Sequence, residues 1–181
     1  MKLCLKDQLF SETEIRLKVQ ELALRIEHDA NNRPIVFIVV LNGAFIFASD
    51  LIRYIQNDNI QLDTICTSLY KNDMIASGHV KLRKDIDLNL QEHYVVLIED
   101  IIDTGRTLKY LSEYIMNKYK PYCLKICTLL DKPSRRFVDL KADYVGFTID
   151  DLFVVGYGID CCEKYRQLPY ISYVEQIIED N

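Results

Sequence analysis

The stretch VVLIEDIIDTGRTL, residues 95–108, governs how the rest of the chain reads. Val95 to Ile98 is apolar at every position, as in a strand covered on both faces of a parallel sheet. Glu99 and Asp100 follow at once, Asp103 comes next, and Thr104-Gly105 makes a small-residue turn. GRTLKYLSEYIMNKYK, residues 105–120, then repeats its apolar positions at helical spacing. One acidic residue at a strand end is ordinary. Three between a buried strand and a helix start look like a site.

The same alternation extends in both directions. SETEIRLKVQELALRIEHD predicts a helix, with Ser11 as N-cap and Glu14 completing a capping box. Ile15, Val19, Leu22, Ala23 and Ile26 share one face, and Asn31-Asn32-Arg33-Pro34 predicts the stop. Ile35–Leu41 reads as a buried strand, AFIFASDLIRYIQ as a helix, and LDTICTSLY and HVKLRKDI as strands. YCLKICTLL is another buried strand, and DYVGFTI and LFVVGYG are short ones. Buried strands alternating with helices predict an α/β fold with a mainly parallel central sheet. The 181 residues suit one domain, with a small cap formed near Pro169 and both termini.

Composition removes several classes. No apolar run approaches the ~20 residues that span a bilayer, and MKLCLKDQLF lacks the apolar core of a secretory signal. A cytoplasmic protein without a membrane partner is expected. The net charge of −5 argues against a broad nucleic-acid surface. Cys4, Cys66, Cys123, Cys127, Cys161 and Cys162 form no CxxC pair, and with only 3 histidines a zinc site is not expected. Most of these cysteines lie in apolar runs and read as reduced core residues.

Ligands of open α/β sheets bind beyond the carboxyl ends of strands. Leu41 is followed by Asn42-Gly43, Ile98 by Glu99-Asp100, Leu130 by Asp131-Lys132, and Val155 by Gly156 and later Asp160. Parallel strands would bring all four ends to one edge. At the helix start, unpaired N–H groups and the positive end of the dipole suit a phosphate. Thr104 and Thr107 add hydroxyls, and Gly105 lets the backbone approach closely. No Walker loop is present, and a capped turn with Thr104 as cap explains the same residues equally well. Glu99 and Asp100 suit sugar hydroxyls or Mg²⁺, but neighbours on a regular strand point to opposite faces, so both reach one ligand only if the strand bends. Phosphate donors ahead and carboxylates behind suggest a ribose 5-phosphate, with Asp103 placed to move a proton near the anomeric carbon.

VLIEDIIDTGRTL resembles the phosphoribosyl-diphosphate-binding motif of the type I phosphoribosyltransferases. LLDKPSRR, DYVGFTIDDLFVVGYGID and EKYRQLPYI narrow the resemblance to the hypoxanthine-guanine branch of bacterial type, over about Ile35 to Ile171. The resemblance implies purine salvage: 5-phospho-α-D-ribose 1-diphosphate and a 6-oxopurine give a nucleotide and diphosphate, with Mg²⁺. It implies that Asp103, Thr104, Gly105, Arg106 and Thr107 cradle the 5′-phosphate, and that Glu99 and Asp100 meet the ribose hydroxyls and the metal. It further implies Asp103 as proton acceptor near purine N7 and Lys132 as donor to purine O6. Phe153 would stack on the base, Val154 would contact it through its backbone, and Asp160 would be metal-linked nearby. Arg166 and the Leu41-Asn42-Gly43 loop, with a cis peptide, would take diphosphate; residues from Tyr70 to Gly78 would be a lid. A homodimer or homotetramer is also implied.

Two departures stand out. Asn42 replaces a frequent Lys or Arg of the diphosphate loop, and Leu69-Tyr70 replaces Ser-Tyr at the lid. Transfer to xanthine or adenine, and a non-catalytic regulator on the same fold, are the alternatives. Lys132 favours a 6-oxo over a 6-amino group, and the intact Asp103 and acidic charge speak for catalysis.

Overall fold

A computed structural model of the chain describes residues 2–69 and 80–177. The expected lid, Tyr70 to Gly78, lies outside the described residues. The chain runs β1 (Lys2–Phe10), α1 (Glu12–Ala30), β2 (Ile35–Leu41), α2 (Phe45–Arg53), β3 (Ile60–Leu69), β4 (Val80–Lys84) and β5 (Tyr94–Ile102). It continues as α3 (Arg106–Tyr119), β6 (Cys123–Asp131), a 3₁₀ turn (Pro133–Arg135), β7 (Tyr144–Thr148), β8 (Val154–Val155) and β9 (Ile171–Ile177).

Local chemistry sets the first helix as its sequence predicts. Ser11 Oγ accepts from the Glu14 N–H, the Glu14 carboxylate accepts from the Ser11 N–H at 2.9 Å, and Asn31 ends the helix in the left-handed region at φ 47°. Its buried stripe is Ile15, Val19, Leu22, Ala23, Ile26 and Ala30.

Six strands form the main sheet in the order β4-β3-β2-β5-β6-β7, all parallel except the edge strand β4. Side chains alternate across it. Ile35, Phe37 and Val39 of β2, with Tyr94, Val96 and Ile98 of β5, pack under α1 and α2. Val36, Ile38 and Val40, with Val95 and Leu97, pack on the other face against Leu108, Leu111 and Ile115 of α3. The chain therefore leaves β2 through α2 toward β3, and leaves β5 through α3 toward β6, in opposite directions. The crevice between the β2 and β5 carboxyl ends is a topological switch point, where such sheets bind ligands.

Two expectations are corrected here. The apolar run of β5 does not end the strand: pairing with β6 continues through Glu99 and Ile101 to Ile102. Nor does the strand of Val154–Val155 belong to the parallel sheet. It pairs with β9, which pairs antiparallel with β1, in a separate sheet ordered β1-β9-β8. The segments nearest the two chain ends thus lie side by side. Phe10 of β1 stacks on Phe147 of β7 with ring centroids 4.0 Å apart, linking the small sheet to the large one. Among the described residues no helix is long and apolar enough to cross a membrane.

Candidate active site

The switch-point crevice is walled by the ends of β2 and β5. The Leu41–Asn42 peptide is cis, as the resemblance implies for this loop. It leads into Gly43, where a Cβ would overlap Asp100 Oδ2. On the far side, a Cβ on Gly158 would overlap Gly43 O, and Gly158 has φ 101°. Gly158 must be glycine, since its φ is left-handed and a backbone oxygen fills the space of a side chain, whereas a Cβ at Gly43 would displace the Asp100 carboxylate.

Glu99 and Asp100 both reach this crevice because strand alternation breaks at them. Ile98 and Ile101, three positions apart, pack on the same core, where a regular strand would send them to opposite faces. Glu99 is 9% exposed. Burial, then repulsion from Asp100, pushes its carboxyl well above the usual range. Burial raises Asp100 too, against the lowering effect of hydrogen bonds and of the Arg166 charge. The Asp100 Oδ1 accepts from the Ile101 N–H at 2.8 Å.

Beyond the pair, the chain from Asp103 turns into α3. Gly105 is the N-cap, at φ 78°, and has no side chain to cap the helix. Thr104 is therefore not the N-cap, although its Oγ1 accepts weakly from the Arg106 N–H at 3.4 Å. The first turn of α3 is left to present its N–H groups to a cavity of about 190 Å³, lined by Glu99, Asp100, Asp103, Thr104, Gly105 and Thr107 among others. Helix N–H groups left without a side-chain cap beside a pocket are of the kind that can bind an anion.

The neighbouring strand end supplies cations. Lys132 is 7% exposed, its Nζ donates to Leu152 O, and burial lowers its pKa. Arg135 Nε donates to Asp103 Oδ1 at 3.0 Å, and Arg136 donates to Asp103 O at 3.0 Å and to Asp131 Oδ1. Phe153 projects 58% exposed while Val154 is buried, and the Val174 N–H of β9 holds Phe153 O at 2.9 Å. Asp160 and Arg166 pair at 2.7 Å, and Arg166 also donates to Gly158 O at 2.8 Å.

A family model described as the phosphoribosyl transferase domain matches residues 6–161. The chain belongs to the phosphoribosyltransferases. It is 42% identical over 181 residues to the hypoxanthine-guanine phosphoribosyltransferase of Bacillus subtilis, covering 100% of this chain and 99% of that one. A crystal structure of a hypoxanthine-guanine phosphoribosyltransferase from Bacillus anthracis is 52% identical, with a TM-score of 0.89 over 96% of this chain and 100% of that chain. One of a hypoxanthine phosphoribosyltransferase from Staphylococcus aureus is 40% identical, also with a TM-score of 0.89, over 94% and 92%.

In this phosphoribosyltransferase the expected site residues fall into three groups around one crevice. Asp103, Thr104, Gly105 and Thr107 line the pocket at the helix start with Glu99 and Asp100, whereas the exposed Arg106 side chain lies over the Phe137 ring, 5.1 Å from its centroid. Asn42, Gly43, Gly158 and Arg166 form a second group through backbone contact. Lys132, Phe153 and Val154 form a third, joined by the Lys132–Leu152 hydrogen bond. Asp160 sits with Arg166 in the second group. Among the described residues no three His, Cys, Asp or Glu side chains form a group able to hold a metal, so Glu99, Asp100 and Asp160 do not make a common cage.

Residue-level reading missed Arg135 and Arg136, which hydrogen-bond to Asp103 at the turn before α3, and Tyr157, whose hydroxyl donates to Asp50 Oδ2 at 2.6 Å and ties the Gly158 loop to α2. The arginines stand in LLDKPSRR, three and four positions after Lys132, so a signal was present. Nothing local marks Tyr157 as facing Asp50, 107 positions away.

Proposed function

We propose that the protein transfers the 5-phosphoribosyl group from 5-phospho-α-D-ribose 1-diphosphate to hypoxanthine or guanine, releasing IMP or GMP and diphosphate. The observation that carries this reading is the placement of a helix start without a side-chain cap, a carboxylate pair with Glu99 buried and Asp100 half-buried, and a buried lysine around one switch point. A phosphate, a sugar and a polar base edge need those three chemistries in that order.

The Gly105, Arg106 and Thr107 N–H groups, with the Thr104 and Thr107 hydroxyls, take the 5′-phosphate. Glu99 and Asp100 face the ribose, where their negative charge opposes the positive charge that grows as diphosphate leaves. Asn42, Gly43 and Arg166 receive the leaving diphosphate; Asn42 brings an amide and no cation, so Arg166 carries the larger share. Lys132, with three donors and one committed to Leu152 O, offers the others to purine O6. Phe153 supplies a free ring face for the base, and the backbone of Val154 borders it. Asp103 accepts the proton at N7, through the Oδ2 that the Arg135 hydrogen bond leaves free.

The donor set fits Mg²⁺. The cation takes one or two carboxylates and completes its sphere with substrate oxygens and water, and the adjacent Glu99 and Asp100 carboxyls, both with raised pKa values, offer oxygen ligands of that kind. Glu99 and Asp100 would hold it, with Asp160 nearby through the Arg166 pair. Bound there, it would stabilise charge on the departing diphosphate. We further read residues 1–181 as one catalytic domain with the β1-β9-β8 sheet as its hood, acting as a cytoplasmic homodimer or homotetramer. Six unpaired thiols suit a reducing compartment.

The test is steady-state turnover with the sugar diphosphate, Mg²⁺ and each of hypoxanthine, guanine, xanthine and adenine. Turnover with the first two is expected. No turnover with either would overturn the proposal.

A further inference from the structure

The chain between Asp160 and Arg166 is a tight hairpin. The Cys161 N–H donates to Lys164 O at 3.1 Å, and the Lys164 N–H donates to Cys161 O at 3.1 Å. The two central residues, Cys162 and Glu163, have φ 53° and 61°. Positive φ at both positions is the type I′ pattern, which favours Asn and Gly; here it carries two ordinary side chains. The same turn positions the charged groups beside it. Asp160 Oδ2 accepts from the Glu163 N–H at 2.9 Å, and Arg166 donates to Glu163 Oε2 at 3.2 Å and meets Asp160 at 2.7 Å. Whatever moves the hairpin moves both ends of that ion pair.

Two thiols sit in this hairpin. Cys162 is exposed, while Cys161 is buried against Val155 and Val174. The two are consecutive in the chain, so their Cα atoms lie only ~3.8 Å apart at the tip of the hairpin. None of the four other cysteines has a sequence neighbour of its kind.

We infer that Cys161 and Cys162 form a vicinal dithiol site for trivalent arsenicals, and that filling it disables the Arg166–Asp160 end of the active site. The second clause rests on the diphosphate role proposed for Arg166; the first does not.

Geometry separates this chemistry from two others. Successive Cα atoms across a trans peptide are ~3.8 Å apart, closer than the ~4.4–6.8 Å that disulfides span. A Cys161–Cys162 disulfide therefore asks for distortion, whereas an arsenic atom set between the two sulfurs holds them further apart than a direct S–S bond does. A structural zinc needs four ligands, and among the described residues no group of three His, Cys, Asp or Glu is placed to hold a metal. The reaction balances without an oxidant. A monosubstituted arsenoxide and two thiols give a cyclic dithioarsinite and one water: two As–S bonds form, the As–O bond is lost, both thiol protons leave in the water, and arsenic keeps its oxidation state. Exposed Cys162 is captured first, and Cys161 then closes the ring at the residue whose N–H and C=O pair with Lys164.

Full-length protein treated with phenylarsine oxide and read by intact mass tests the site. One adduct per chain is expected, equal to the reagent less one water, stable to a monothiol wash and released by a 1,2-dithiol. Cys162→Ser should lose the wash-resistant adduct while keeping its turnover; Cys123→Ala should retain the adduct. Modification of the wild type should lower turnover roughly 10²-fold, the scale of a misplaced positioning group, with recovery on adding the 1,2-dithiol. No wash-resistant adduct on the wild type, or one that persists in Cys162→Ser, overturns the site. An adduct confined to the pair with unchanged turnover overturns its coupling to Arg166 while leaving the dithiol site in place. Since Cys162 is exposed, its replacement carries the test even if the Cys161 variant fails to fold.

Discussion

Asp103 Oδ1 accepts a hydrogen bond from Arg135 Nε at 3.0 Å, joining the turn after β5 to the 3₁₀ turn after β6. The proposed proton acceptor is thus held by a cation at one oxygen, and Oδ2 is left free for the base. Asp103→Asn should lower kcat by roughly 10²–10⁴, because an amide holds the position but cannot take the proton. The ion pair itself is about half exposed, at 45% and 43%, so Arg135→Ala should leave thermal stability nearly unchanged. Steady-state kinetics and thermal unfolding of the two variants check both statements; near-normal kcat in Asp103→Asn would remove Asp103 from the role.

Lys132 should select the base. An ammonium has donors only, so it satisfies a 6-oxo group and meets repulsion from a 6-amino group. Mismatches at a buried polar contact discriminate by about 10⁴–10⁵ at best. Lys132→Ala should raise KM for hypoxanthine and guanine with little change in KM for the sugar diphosphate. Comparable wild-type kcat/KM for adenine and hypoxanthine would sink this assignment.

Gly43 should tolerate no side chain. A methyl group there overlaps Asp100 Oδ2, so Gly43→Ala should lower both thermal stability and kcat/KM. In the double variant with Asp100→Ala the overlap is gone, and stability should return while activity does not. Equal losses of stability in the single and double variants would show that the clash lies elsewhere.

The carboxylate pair should tie stability to pH. Glu99 titrates above its ordinary range because folding buries it beside Asp100. In the folded state it therefore holds its proton at pH values where the unfolded chain has released it. The stability it contributes is full below the unfolded carboxylate value of ~4.3 and is lost as pH rises through the raised folded value. Glu99→Gln should flatten that decline and stabilise the metal-free protein at neutral pH. Mg²⁺ should raise the unfolding temperature of the wild type more than that of the variant. Melting curves across pH, with and without Mg²⁺, decide it, and an identical pH slope in both proteins contradicts it.

Asp85 should show the opposite sign. Hydrogen bonds from Lys118, Tyr114 and Tyr119 of α3 outweigh its burial and hold its carboxyl well below the usual range. The stability it contributes is present above the unfolded value of ~3.9 and lost as pH falls through the folded one. The group is 37% exposed, so Asp85→Asn should cost about 1 kcal/mol after allowance for solvent screening, with kcat unchanged. Urea unfolding at neutral and acid pH measures it; a change in kcat would imply a link to the site that the contacts do not contain.

The amino-acid sequence by itself determined the parallel core, the first helix and the turn at Thr104-Gly105, because each rests on local chemistry. Ile35–Leu41 has no polar position to expose, Ser11 and Glu14 cap each other across three residues, and Gly105 alone suits the φ its position demands. What only the tertiary structure decided depends on partners far along the chain. The two-residue strand at Val154–Val155 sits in an antiparallel sheet because β9 offers the pairing, and β9 in turn needs β1 from the opposite end. Glu99 and Asp100 share one crevice because β5 continues in register with β6 while its side-chain alternation breaks. Arg135 reaches Asp103 across 32 positions, and Tyr157 reaches Asp50 across 107. Periodicity and capping act within a few residues, so they report an element's existence. Pairing order, a break in a pleat and a hydrogen bond across a crevice arise only when distant segments pack, and no local pattern encodes them.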